Sequence, residues 1–81
     1  MMLLTQTNNT IVNLDNIIYI EAEEVETNYK NYIYEITAYY NNNIKVLGQY
    51  KTFERANEII KEIYKQLILQ NFSFTYEMPK E

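Results

Sequence analysis

Apolar and polar positions alternate with period two over four stretches of this chain and follow a helical period over a fifth. In "IIYIEAEEVE", Ile18, Ile20 and Ala22 point one way while Tyr19, Glu21 and Glu23 point the other, the pattern of a half-buried strand. In "YIYEITAYY", Tyr32, Tyr34, Ile36, Ala38 and Tyr40 share a face opposite Ile33, Glu35, Thr37 and Tyr39, and the even-numbered face is the better core candidate. The run "NNN" at 41–43 reads as a turn into "IKVLGQY", where Ile44, Val46 and Tyr50 alternate against Lys45, Leu47 and Gln49. Upstream, "LLTQTNNTIVNLD" reads as a hairpin about Asn8-Asn9, because Asn tolerates left-handed backbone; a two-residue loop pairs Thr5 with Val12 and Leu3 with Leu14.

Register follows from parity. A three-residue loop pairing Asn41 with Lys45 keeps Tyr40 and Val46 on one face and sets Ala38 opposite Gly48. Two small residues facing each other leave room for a bulky group, and a lone strand glycine marks a close approach or a bulge; Phe53 is the predicted occupant. From Phe53 to Gln70 the period becomes helical. Phe53, Ala56, Ile60, Ile63, Tyr64 and Leu67 fall within an arc of about 100°, with Ile59 and Ile68 at its margins. Thr52 is the predicted N-cap, and Glu54 complements the positive end of the helix. The opposite face carries three charges of each sign, with Glu58–Lys61 and Glu62–Lys65 at i,i+3 spacing. Alternation returns in "FSFTYEMPKE", with Phe72, Phe74 and Tyr76 on one side, and Pro79 ends that strand.

These elements predict a single α+β domain over 1–81: a curled five-stranded antiparallel meander, the helix across its inner face, and a final edge strand. A pleckstrin-homology-like barrel is the alternative with the same element order. The succession "LLTQT…TIVNLDNIIYIE…YIYEITAYY…LGQYKTFERANEIIKEI…YEMPK" also resembles a group of small uncharacterised proteins of low-GC Gram-positive bacteria and their phages. The resemblance covers most of the chain, with Phe53 standing where that group commonly has Glu. The matching pieces are structural in character, so the resemblance implies no functional residue.

Composition narrows the chemistry. With no Cys and no His, thiolate chemistry, disulfides, the usual zinc ligands and the commonest general base are missing, and a single Gly rules out a glycine-rich phosphate cradle. No residue is assigned to catalysis, a cofactor or a metal. The N-terminal "MMLLTQTNNT" lacks a basic region and a long apolar run, so the expectation is a cytoplasmic protein without a membrane segment. A net charge of −4 opposes direct nucleic-acid binding.

The function predicted is a non-enzymatic protein-interaction module, with an unknown protein partner and a possible homodimer. Its candidate interface is the outer sheet face carrying Tyr19, Ile33 and Tyr39, extended by Ile17 and Val25, because Tyr is favoured where proteins meet. Two alternatives are a small-ligand or divalent-metal protein using Glu21 and Glu23, and an acidic inhibitor of a nucleic-acid-binding enzyme.

Overall fold

The computed structural model describes residues 1–69 and 75–81. In chain order it contains β1 (Met2–Leu4), β2 (Ile11–Asn13), a 3-10 turn (Leu14–Asn16), β3 (Tyr19–Glu26), β4 (Tyr32–Tyr39), β5 (Ile44–Tyr50), α1 (Phe53–Ile68) and β6 (Thr75–Glu77). The architecture is α+β, as the periodicity predicts, and β3-β4-β5 form the expected antiparallel meander under the helix. The first hairpin does not extend that meander into five strands. It belongs to a second three-stranded sheet, β2-β1-β6, in which β6 runs parallel to β1 at the edge. The two sheets separate at the 3-10 turn, where Asp15 N–H donates to Asn13 Oδ1 (2.9 Å) and redirects the chain. Neither sheet closes into a barrel among the described residues.

The hairpin pairs Leu3 with Val12, and Thr5 N–H donates to Thr10 O (3.0 Å), giving a four-residue loop with Asn8 at φ 60°. The register lies two residues from the predicted one, which preserves parity and keeps both Leu3 and Val12 buried. On β4 the even-numbered face is the core face: Ile36 and Ala38 have no exposed surface, and Tyr34 and Tyr40 pack against them.

Strand β5 departs from simple alternation. Ile36 pairs with Gly48 while Thr37 pairs with Val46, so Leu47 is the extra residue of a β-bulge. The bulge turns Leu47 into the core and leaves Ile44 and Val46 exposed, reversing the predicted parity of this half. Gly48 therefore faces Ile36 rather than Ala38. Its open side is covered by the ring of Tyr50 rather than by Phe53, which is exposed and meets Tyr34 edge-on at 6.0 Å.

Helix α1 begins where Thr52 Oγ1 accepts from Arg55 N–H (3.1 Å), the predicted cap. It buries Ala56, Ile59 and Ile63, with Ile60 packed beside them. The buried stripe is rotated from the predicted arc: Ile59, predicted at the margin, is fully buried, and Tyr64, Leu67 and Ile68 are exposed. A three-stranded sheet is narrower than the helix's apolar arc and covers only part of it. On the charged face the ion pair is Arg55–Glu58 (3.1 Å), not either of the predicted pairs, among the described residues. The predicted end at Gln70 and the positions of Phe72 and Phe74 lie outside the described residues.

Tyr76 of β6 points into the shared core, where its hydroxyl is buried near Glu62 with no hydrogen-bond partner in bonding geometry among the described residues. Burial first, and then the charge of Glu62, pushes its pKa well above the usual phenol range. Replacing an unsatisfied buried hydroxyl by hydrogen removes a desolvation penalty, so Tyr76→Phe is expected to be neutral or stabilising by up to about 1 kcal/mol in urea unfolding. A loss of stability would mean that the hydroxyl has a partner.

Two further features bear on the sheet edges. The Gln6 side chain pairs with the backbone of Gln49 in both directions, Nε2 donating to Gln49 O (2.9 Å) and Oε1 accepting from Gln49 N–H (2.7 Å), while Nε2 also reaches Lys80 O (2.9 Å). A carboxamide thus acts as one more strand residue along the outer edge of β5. Between β3 and β4, Tyr29 (φ 37°) and Lys30 (φ 67°) are consecutive left-handed residues, closed by Asn31 N–H donating to Asn28 O (2.8 Å). This primed turn normally selects Asn-Gly, and side chains there cost conformational energy. The pair Tyr29→Asn, Lys30→Gly is expected to raise stability by about 1 kcal/mol, read as an increased urea midpoint at unchanged slope.

Candidate functional site

The outer face of the meander holds the three residues that parity selects, but not as one patch. Tyr19 and Tyr39 are directly opposed on β3 and β4, and their rings stack at 4.3 Å with 14° between planes. Ile33 is opposed to Val25 at the other end of the strands, about 20 Å away at strand rise. Between them lie the Glu21–Thr37 and Glu23–Glu35 pairs, so the interval is acidic rather than apolar. The predicted continuous stripe is divided because the strand alternation that exposes Tyr19 also exposes the two carboxylates that follow it.

Those carboxylates converge on the tyrosine. Tyr39 Oη donates to Glu23 Oε1 (2.6 Å) and lies 3.2 Å from Glu21 Oε1. Hydrogen bonding between the two carboxyls is the main cause that holds Glu21 above its ordinary pKa and Glu23 below it. The Tyr39 hydroxyl is held well above the usual phenol range, first by its bond to Glu23. Among the described residues, no three His, Cys, Asp or Glu side chains are grouped to hold a metal. The arrangement ties the stacked Tyr39 ring to the acidic interval through its hydroxyl.

Because the Tyr39 bond lowers both carboxyl pKa values, Tyr39→Phe should move both titration midpoints to higher pH while keeping the stack. A folded pKa below the unfolded one stabilises the fold above the unfolded pKa, and this is lost as pH falls through the folded pKa. The variant should therefore lose part of the Glu23 contribution at neutral pH, and the difference should vanish as pH falls through the carboxylate range. Carboxyl-detected NMR titration checks this; unchanged midpoints would show that the hydroxyl does not bond to these groups in solution.

A second surface arises where the helix overhangs the start of β3. Ile18, Ile20, Ile60, Ile63, Tyr64 and Leu67 line most of an apolar groove of about 420 Å³. Ile63 forms its floor, while Tyr64 (65% exposed), Ile18 (59%) and Leu67 (39%) form its walls. Ile18 is on the predicted core face but lies before the strand proper, where Ile17 packs inward instead. Sequence periodicity assigns Tyr64 and Leu67 to the core. The signal for the groove is an apolar helical arc too wide for one small sheet to cover.

The groove opens onto an unpaired strand edge. Among the described residues β3 bonds only to β4 and is eight residues long, whereas the other edge strands are shorter: β2 and β6 have three residues each, and β5 is partly occupied by Gln6. Along that edge stand Glu21, Glu23, Glu24 and Glu26, with no basic residue in the strand. No helix is long and apolar enough to cross a membrane among the described residues. No family model matches this chain, and neither a curated protein nor a solved structure matches it.

Proposed function

We propose that this protein is a non-enzymatic interaction module that acts by binding another protein, in the cytoplasm, as an accessory factor of a phage or other mobile element. The observation that carries the interaction role is the apolar groove beside β3, whose walls expose three large side chains next to one another. Contiguous apolar walls next to an open strand edge are what a docking segment needs and what an isolated surface avoids. The composition supports the non-enzymatic part, since neither His nor Cys is present to supply a base or a thiolate nucleophile. The mobile-element setting rests on the sequence resemblance alone.

Affinity capture from a low-GC Gram-positive lysate tests the reading, with the wild-type protein and Tyr64→Asp as parallel baits. Tyr64 is largely exposed, so the variant should keep its fold, checked by circular dichroism. The expected result is a protein retained by the wild type and lost with the variant. Identical profiles from the two baits would overturn the reading.

A further inference from the structure

The edge of β3 and the groove at its start form one surface, and its charge identifies what it accepts. We infer that β3 binds an extended, basic segment of a partner protein, which adds as a fourth strand to the β3-β4-β5 sheet and places apolar side chains in the groove. The inference rests on the interaction reading above and gives that reading a partner chemistry.

Three observations converge. An unpaired strand presents alternating N–H and C=O groups that only another extended backbone satisfies along its length, and β3 is the longest such edge among the described residues. A strand added about 4.8 Å beyond β3 directs alternate side chains to the helix side. At the start of β3 those side chains meet Ile20, Ile63, Tyr64 and Leu67, an apolar lining that suits aliphatic residues. Further along, β3 carries Glu21 and Glu23 on the outer side and Glu24 and Glu26 on the helix side, so both faces of an added strand lie beside carboxylates. Lys or Arg on the partner completes these pairs.

The same charges decide against a second copy of this chain as the occupant. Pairing β3 with its own copy sets an acidic strand against an acidic strand, and like charges opposite one another destabilise a sheet. A nucleic-acid strand is disfavoured for the same reason. The other edges offer no equivalent: Gln6 already satisfies Gln49 on β5, and β2 and β6 are three residues long.

The experiment is selection of random octapeptides displayed on phage against the immobilised wild-type protein, followed by binding measurements on the selected peptides as synthetic, N-acetylated, C-amidated chains. The expected result is enrichment of Lys and Arg alternating with aliphatic residues, with amide-exchange protection gained along Tyr19–Glu26. Tyr64→Asp and Glu24→Lys should each weaken binding about tenfold, and N-methylating alternate amides of the peptide by at least as much. Raising salt should weaken binding further.

Selected peptides that lack basic residues, or that protect amides elsewhere, overturn strand addition at β3 while leaving the interaction reading intact. Recovery of no peptide overturns it as well. So does a wild-type dimer in light scattering whose protected amides are those of β3, because the occupant is then a second copy. Identical lysate profiles for the two baits, by contrast, remove the interaction reading itself.

Discussion

Gly48→Ala is expected to destabilise the fold by about 2–4 kcal/mol, although Ala ordinarily strengthens a strand relative to Gly. A Cβ at position 48 lies 2.7 Å from Tyr50 Oη and 2.9 Å from its Cε2, so the ring must move. That ring is 2% exposed, and its hydroxyl donates to Pro79 O (2.7 Å), which holds the residues after β6 against the helix start. Displacing it sacrifices packing and one partly buried hydrogen bond together. The cause can be isolated, because in a Tyr50→Val background there is no ring to displace, and Gly48→Ala should then be neutral or favourable. A double-mutant cycle by urea unfolding measures the coupling; additive effects would show that Tyr50 is not the obstacle.

Leu3→Ala should cost about 3–4 kcal/mol. Leu3 has no exposed surface and lies on the central strand of β2-β1-β6, opposite Val12 on one side and Tyr76 on the other. Both flanking strands are held to β1 by backbone bonds, so the cavity cannot collapse easily and the cost falls in the upper part of the usual range. A domain of this length has a total stability of roughly 4–12 kcal/mol, which makes the loss a large share of it. Ile44→Ala, on a side chain 65% exposed, is the control and should change stability by about 0.5 kcal/mol or less. Similar effects from the two substitutions would show that the first hairpin does not share the main core.

The contrast between these positions also marks where sequence patterns succeed. The even face of β4 is legible because the middle of a central strand packs against the core, so parity selects Ile36 and Ala38, although Tyr32 at the strand start is exposed and Thr37 on the other face is buried. On β5 the same logic holds for Gly48 and Tyr50, but the extra residue at Leu47 reverses it for Ile44 and Val46. The adjacent Leu47-Gly48 pair, which breaks alternation beside the only glycine, is the visible trace of the bulge. The helix is legible in its start and cap but not in rotation, since rotation depends on the width of the sheet beneath it. Tyr19 and Tyr39 are placed on one face by parity, yet the bonds from Tyr39 to Glu21 and Glu23 require the specific opposition of Tyr19 and Tyr39. The parallel pairing of β1 with β6 is set by closure of the whole fold, and three-residue strands carry no pattern that names their partner.

That pairing has a kinetic consequence. Joining Met2–Leu4 to Thr75–Glu77 closes a loop across nearly the whole described chain, costing a flexible chain about 2 kcal/mol more entropy than closing the first hairpin. Such non-local contacts slow folding, and they form only after the intervening elements have collapsed. During synthesis β1 emerges first and β6 last, so the inner edge of the hairpin stays unpaired until residue 77 has cleared the ribosome. The β3-β4-β5 meander and its helix can assemble earlier. The protein is thus expected to populate a folding intermediate in which the meander is formed and the first hairpin still exchanges its amides freely.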